Sequence, residues 1–495
     1  MHDLVIREVS LYDGSGAPPA GADVAIEGER IASVRSGGAG AALQARETLD
    51  GRGLALAPGF IDVHTHDDFA ALVHPDMAFK LAGGVTTSIV GNCGFGAAPH
   101  AAAAVMAKTL HPKIALPEWQ GYAGYMRRLE EQPPGVNIGV LVGHGTARLA
   151  AMRNEARAPG GAEMAAMKAT VAEGLEAGAL GLSSGLVYDP GRFAATDELV
   201  ELCALMRGTG ALYATHMRDE SSGLLDSVRE AIAIGERAGV PVQISHHKAS
   251  GRSAWGLVRE SLKLIEDAQR RGLDVHADQY PYTAGSTILS AVYRDGKLRG
   301  AIGDLTGDDV VIASTESHPQ WEGRSLAQLG REFGCSPEQA AERVLAADHG
   351  VTAVLHAMNE EDVRTVMRHP STMIGSDGIP TIKGRPHPRL YGTFARVLGR
   401  YAREEKLFTM EEAVYRMTGF AAAKFGLQDR GLVRAGAFAD LVLFDAAKII
   451  DRGTFDDPKR LPEGIRAVFV NGKRAVDGGA VTGVRTGKVL RRSQG

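Results

Sequence analysis

From residue 58 onward the chain alternates short apolar runs with stretches whose apolar residues recur at helical spacing, and this alternation is the strongest constraint on its fold. Strand, covering helix and next strand make the repeating unit of a parallel sheet buried on both faces. Eight strand-like runs can be counted: Phe60 to Val63, Thr86 to Val90, Ile138 to Val142, Leu180 to Ser183, Leu212 to Ala214, Val242 to Ser245, Asp274 to Ala277 and Thr372 to Ile374. Eight is the number that closes such a sheet into a (β/α)8 TIM-like barrel. Between the runs, Met164, Met167, Val171 and Leu175 form one helical stripe, and Leu225, Val228 and Ile232 form another that Gly239 ends. About 90 residues separate runs seven and eight, far more than one crossover needs. An insertion over residues 286–345, with Ser336-Pro337-Glu338 opening a helix, is expected to cover the end of the barrel.

The two ends of the chain read differently. Residues 1–57 alternate apolar and polar (Leu4, Ile6; Val24, Ile26; Ile31, Val34), and Asp440 to Phe444 and Ala467 to Val470, followed by Asn471-Gly472, return to that texture. The expected organisation is an α/β fold: a barrel over 58–425 and a small β-sandwich side domain assembled from 1–57 and 426–495. Of the 495 residues 44% are hydrophobic, enough for a large core, yet no stretch approaches the roughly 18 apolar residues of a membrane span. The first ten residues carry Asp3, Arg7 and Glu8 and lack a signal-peptide core, so a cytoplasmic location is expected. With 55 Lys+Arg against 59 Asp+Glu, neither nucleic acid nor an anionic membrane is an expected partner. Cys93, Cys203 and Cys335 are too dispersed for a local disulfide framework or a CxxC clip.

Reactive side chains fall at the C-terminal ends of the expected strands: His64 and His66 after the first, Cys93 after the second, His216 after the fifth, His246 after the sixth and Asp377 after the eighth. In a barrel that rim is where residues distant in sequence converge into an active site. His64 and His66 share strand parity and face one way. Imidazoles, a thiolate and a carboxylate suit Zn²⁺, whereas Mg²⁺ or Ca²⁺ would call for mostly oxygen ligands. A lone histidine or cysteine there is ordinarily structural, and Asp377 before Gly378 can form an Asx-turn; six such residues at matched positions point to a metal site. Cys203 and Cys335 are expected to be buried small hydrophobes.

The run Pro58-Gly59-Phe60-Ile61-Asp62-Val63-His64-Thr65-His66 resembles the first-strand signature of the amidohydrolase superfamily. More narrowly, Gly91-Asn92-Cys93-Gly94-Phe95, Gly181 to Leu186, Ile244-Ser245-His246-His247-Lys248, Asp278-Gln279-Tyr280-Pro281-Tyr282 and His387 to Phe394 resemble the N-acyl-D-amino-acid deacylases, the D-aminoacylase family, as does the edge strand Ala439 to Phe444. The resemblance implies zinc-dependent hydrolysis of a small N-acyl-D-amino acid. It also implies a tight zinc site of Cys93, His216 and His246, with His64, His66 and Asp377 as a second, weaker one. Hydantoinases and dihydroorotases, the main alternatives on this scaffold, use a carboxylated lysine at the end of strand four, and Ala179 to Tyr188 contains none. Catalytically inactive assembly proteins of this fold typically lose metal ligands, whereas all six positions are filled here.

In that reading Asp377 is the catalytic proton shuttle. Lys248, Tyr280, Tyr282 and Arg389 are the candidates to hold the substrate's α-carboxylate. Arg294, at the start of the insertion, is expected to read a second carboxylate and so to favour N-acyl-D-glutamate; hydrophobic N-acyl-D-amino acids are the alternative. Gly181-Leu182-Ser183-Ser184-Gly185 formally matches a nucleophile elbow, but Pro190 disfavours the helix that must follow, so Ser183 is expected to shape the pocket floor. The sequence assigns no role to His144, no acyl group and no oligomeric state.

Overall fold

The computed structural model of the chain describes residues 1–36, 43–110, 116–298 and 303–492, so 299–302 of the expected insertion lie outside it. All eight expected runs form strands: β1 (Phe60–Asp62), β2 (Val85–Val90), β3 (Asn137–Gly143), β4 (Gly181–Gly185), β5 (Leu212–His216), β6 (Val242–Ile244), β7 (Val275–Gln279) and β8 (Thr372–Ile374). They pair in parallel, each with the next in the chain. The period-two rule sorts their side chains into two cores. Ile61, Ile89, Leu141, Leu212 and Met373 point inward and form one cluster with Phe420 and Phe425. Phe60, Val90, Val140, Tyr213 and Val242 point outward onto the helices, where Met167, Val171 and Val228 meet them. Those residues belong to the two expected helices, Gly161–Glu176 and Leu224–Ala238, the second ended by Gly239 in the left-handed conformation (φ 71°).

The path from β1 to β8 closes at its C-terminal rim, where the Asp377 amide donates to the His64 carbonyl (2.7 Å) and the His66 amide to the Gly378 carbonyl (3.0 Å). Gly375 permits this approach, since a Cβ there would stand 2.6 Å from the His64 Cβ.

The insertion between β7 and β8 has its own antiparallel sheet of Gly285–Ile288, Thr352–Leu355 and Val310–Ser314, with Thr352–Leu355 in the centre. It therefore extends past the expected limit of residue 345, because its central strand is a run of only four residues, lying beyond the turn Asp348-His349-Gly350. Helices Leu326–Phe333 and Pro337–Ala347 start at Ser325 and Ser336, whose hydroxyls accept from the amides of Gln328 and Gln339. Leu289, Val292, Ile312, Leu326 and Val344 give the insertion a core separate from that of the barrel.

Both ends of the chain contribute to one nine-stranded sheet. Ala55–Pro58, just before β1, pairs with Leu441–Phe444 and so joins the two contributions. Ile6, Val24 and Ile31 from the first part pack with Leu441, Leu443 and Phe469 from the second, so the sheet folds over its own core in the manner of a sandwich.

Phe60 is fully buried and stacks on Phe394, ring centroids 5.6 Å apart and planes 11° from parallel. Phe60→Ala is expected to destabilise the fold by about 3–5 kcal/mol, the range for large-to-small changes in a packed core. Urea unfolding measures this, and a loss below about 1 kcal/mol would mean that the β1 wall collapses to fill the space.

Candidate metal centre

The residues singled out at the strand ends meet at the mouth of the barrel, all of them buried. The Cys93 sulfur lies 3.3 Å from His64 Nε2, 3.7 Å from His216 Nδ1 and 3.6 Å from His246 Nε2. Asp377 Oδ1 lies 3.2 Å from His66 Nε2 and 3.5 Å from His64 Nε2. The thiol thus reaches His64 as well as the two histidines expected beside it.

Local backbone fixes this arrangement. Cys93 sits in the turn Asn92–Gly94 between Gly91 and Gly94, and a Cβ on Gly91 would stand 2.2 Å from the Leu141 carbonyl, so only glycine lets the turn lie against β3. Cys93, His246 and Asp377 all have positive φ (54°, 35° and 49°), which costs non-glycine residues energy and is found where surrounding structure enforces it. Ser183 is one enforcer. Its hydroxyl accepts from the Gly94 amide (3.0 Å) and donates to the Gly91 carbonyl in a short bond. Ser184 is committed to Tyr213 and Thr215, so neither serine is free to act as a nucleophile.

Carboxylates that the strand-end argument did not select stand behind the histidines. Asp278 Oδ1 faces His64 Nδ1 at 3.2 Å and accepts from the His246 amide at 2.8 Å. Glu220 reaches His246 Nδ1 with one oxygen (2.9 Å) and His216 Nε2 with the other (3.6 Å). Each of these three rings therefore lies between a carboxylate and the Cys93 thiol, and the carboxylates fix how the rings face it. Burial pushes the Cys93 thiol up, but the surrounding imidazoles outweigh it and hold the group well below its ordinary pKa. Three imidazoles and a thiol of lowered pKa facing one another are a donor set that fits a soft-to-borderline cation such as zinc. Three groupings have ligand atoms close enough to share an ion: His64, Cys93 and His246; His64, His66 and Asp377; and His216, Glu220 and His246. The last already holds a cation, since Lys248 Nζ lies 2.6 Å from Glu220 and 2.8 Å from His246 Nδ1.

The cavity beside these groups is small, about 30 Å³, and is bordered by His216, His246, Lys248, Tyr280 and Asp377 from the barrel and Ser286, Thr287 and Leu355 from the insertion. Arg389 is buried behind two residues that border it: Nη2 lies 2.8 Å from Asp377 Oδ2, the guanidinium covers the Tyr280 ring at 4.4 Å, and Nε and Nη1 have no hydrogen-bond partner among the described residues. Burial alone would raise the Asp377 pKa, but Arg389 and the histidines hold it well below the usual carboxylate range.

Two expected binding residues point elsewhere. Tyr282 donates to Asp451 (3.3 Å), because the chain bends directly after β7 and breaks the parity expected to pair it with Tyr280. Arg294 lies in the pair Tyr293–Arg294 and Lys297–Leu298, partly exposed, with Nη2 3.4 Å from the Val187 carbonyl and 3.5 Å from Asp189. It flanks the loop of Tyr188, a cavity residue, without lining the cavity itself. His144 is bound to Glu198 (2.8 Å) and His247 to Ser261 (2.8 Å), both away from the mouth. Cys203 is buried at the end of helix Thr196–Cys203, and burial raises its thiol pKa.

Imidazoles, a thiol and a carboxylate converging at the open end of a parallel barrel put the protein among the metal-dependent hydrolases built on that fold. The chain belongs to the amidohydrolase family, which it matches over residues 47–476, and within it to the D-aminoacylase group. It is 42% identical to the D-aminoacylase of Alcaligenes xylosoxydans xylosoxydans over 99% of this chain and 98% of that protein. It is 41% identical to the N-acyl-D-glutamate deacylase of the same organism, over 99% and 96%. The crystal structure of N-acyl-D-glutamate deacylase from Bordetella bronchiseptica, complexed with zinc and a phosphonate mimic of the reaction's tetrahedral intermediate, superimposes with a TM-score of 0.88 at 39% identity, covering 99% of each chain. Among the described residues no helix is long and apolar enough to cross a membrane.

Glu220→Gln is expected to weaken zinc binding by about 10–100-fold, the usual effect of losing a carboxylate that orients metal-binding histidines. Chelator competition on the purified protein measures this; unchanged affinity would assign Glu220 to Lys248 alone.

Proposed function

We propose that this protein hydrolyses the amide bond of N-acyl-D-amino acids, releasing a carboxylate and a free D-amino acid. The observation that carries the reading is the pairing, around one cavity, of a cation-seeking cluster with an anion-seeking one. Lys248 and Arg389 both approach the Tyr280 ring (5.9 and 4.4 Å), and among the described residues the Tyr280 hydroxyl has the Met358 sulfur, at 3.6 Å, as its hydrogen-bond partner. Two buried cations and an underused hydroxyl suit the α-carboxylate of an N-acyl amino acid. Cys93, His216 and His246 would hold the tight zinc, and His64, His66 and Asp377 a weaker second ion. When bound, zinc supplies Lewis acidity toward the amide carbonyl and toward water.

Asp377 does the proton work in this reading. Held ionised by Arg389, its carboxylate accepts a proton from the attacking water while the water oxygen bonds to the carbonyl carbon. The same proton then passes to the amide nitrogen as the C–N bond breaks, so the amine leaves neutral and Asp377 returns to its starting state. His66 and Arg389, on opposite oxygens of Asp377, fix the direction in which it faces. The cavity is narrow for such a substrate, and in this reading the edge formed by Ser286, Thr287 and Leu355 moves aside for binding.

Asp377→Asn should preserve shape but remove the shuttle, lowering kcat by at least the roughly 10²-fold that general acid–base catalysis supplies. Retained turnover at neutral pH would take Asp377 out of the mechanism. Cys93→Ala should lower zinc content and activity together, and full zinc with near-normal turnover would overturn its assignment as a ligand.

For the amino-acid side chain, the nearly equal identity to a D-aminoacylase and to an N-acyl-D-glutamate deacylase makes no selection. We propose N-acyl-D-glutamate as the preferred substrate, with Arg294 exchanging Asp189 for the substrate's second carboxylate once the covering edge has moved. N-acetyl-D-glutamate should then surpass N-acetyl-D-leucine and N-acetyl-L-glutamate in kcat/KM, and Arg294→Leu should erode that preference. A wild-type preference for leucine would instead leave Arg294 as the partner of Asp189 alone.

A further inference from the structure

The closure of the barrel contains a buried charge that the proposed reaction does not use. Strands β1 and β8 stand at the two ends of the hydrogen-bonded path, and among the described residues no ladder joins them directly. The join is made just beyond the strands by the two backbone bonds around His64, His66, Asp377 and Gly378. Beneath it lies Lys80, carried on the short turn of helix Ala78–Leu81 and only 1% exposed.

Its ammonium reaches oxygens on both sides of the join. On the β1 side it meets Asp62 Oδ2 (2.6 Å), the Thr65 hydroxyl (2.9 Å) and Asp67 Oδ2 (3.3 Å). On the β8 side it meets the Ser376 hydroxyl (3.1 Å). Asp62 then crosses the join itself, accepting from the Ser376 amide (2.8 Å) and from its hydroxyl (2.5 Å). Ser376 also accepts from the Gly378 amide (3.0 Å), and the Thr65 hydroxyl donates to the Gly378 carbonyl (3.3 Å). Every residue held by Lys80 is thus within two positions of His64, His66 or Asp377.

A lysine is almost never fully buried unless it is paired, because removing its charge from water costs several kcal/mol. Burial lowers the tendency of Lys80 to hold its proton, but Asp62 and Asp67 more than offset this and raise its pKa. The charge is therefore retained where an apolar side chain would fill the space without that cost. What the ammonium adds over an apolar group is direction: one point linked to four oxygens across a join that has little backbone pairing of its own.

We propose that Lys80 is a positioning residue, whose ammonium sets the separation between Asp377 and the His64–His66 pair by tying the ends of β1 and β8. The inference rests on Asp377 acting as the proton shuttle. The proposed ligands of the tighter zinc, Cys93, His216 and His246, lie on other strands; His64 faces the thiol as well, so a change confined to the separation of the β1 and β8 ends should leave that zinc equivalent bound. A misplacement near 1 Å at the reacting groups can cost about 10²-fold in rate.

The test is a double-mutant cycle between Lys80→Met and Asp377→Asn, with Ser376→Ala as a milder cut of the same join that serves if Lys80→Met does not fold. In the otherwise unaltered enzyme, Lys80→Met should lower kcat at least 30-fold, and Ser376→Ala at least threefold. KM should stay within twofold and zinc content near one per chain. In the Asp377→Asn background either change should cost less than twofold, because a misplaced shuttle matters only while there is a shuttle. Equal losses in both backgrounds, loss of zinc in proportion to activity, or kcat within twofold of the unaltered enzyme would each overturn the proposal. If Asp377→Asn alone retains turnover, the shuttle reading fails first, and that result is separate from a cycle in which Asp377→Asn is inactive but Lys80→Met is not.

Discussion

Burying a charge inside a protein is expensive unless a partner of opposite sign or a set of hydrogen bonds replaces the lost water, and the mouth of this barrel is built around that constraint. Asp62, Asp278, Glu220 and Asp377 are all nearly inaccessible. Each is matched: Asp62 by Lys80 and Ser376, Asp278 by Gln243 and the His246 amide, Glu220 by Lys248, Asp377 by Arg389. With their charges answered in this way, oxygens of Asp278, Glu220 and Asp377 also face imidazole nitrogens and hold the rings in place. The orientation of the rings around Cys93 thus follows from carboxylates that do not touch the thiol.

The barrel was legible because its signals are local and repeated. Every β strand is a run of a few buried residues with period-two sorting, and every expected strand appears within a few residues of its expected ends. The strand-end rule also brought His64, His66, Cys93, His216, His246 and Asp377 to one place. It missed Glu220, four residues past His216, because the rule looks at strand ends and Glu220 lies in the loop beyond. The only available signal was the spacing His216-Met217-Arg218-Asp219-Glu220. Asp278 did stand at a strand end, within a motif already noted, and was passed over because aspartate beside tyrosines and prolines suggests a turn as readily as a histidine's partner.

Parity arguments held only where the chain stays extended. His64 and His66 do converge on a single oxygen of Asp377. Tyr280 and Tyr282 have the same spacing but diverge, because the chain bends after Gln279 and the Tyr282 amide donates to the Tyr280 carbonyl (3.0 Å). Beyond the end of a strand a spacing of two gives no assurance of a common face: it holds after β1 and fails after β7.

The division between barrel and insertion separates two kinds of constraint. Barrel residues around the metal centre are held by strands, by the glycine-flanked turn of Cys93 and by buried ion pairs, so their positions are set whatever the substrate. The insertion packs around its own core of Leu289, Ile312, Leu326 and Val344 and presents Ser286, Thr287 and Leu355 to the cavity. That core meets the barrel through Val187 and Tyr188, and the sheet is tied to it by the Tyr188–Thr287 and Arg389–Ser286 hydrogen bonds. In the proposed reading the side chain accepted is set by residues of this insertion, which whole-chain identity weighs no more than any others. Arg294 illustrates the point, since its pairing with Asp189 depends on where the insertion sits against the Tyr188 loop and on nothing in the metal centre.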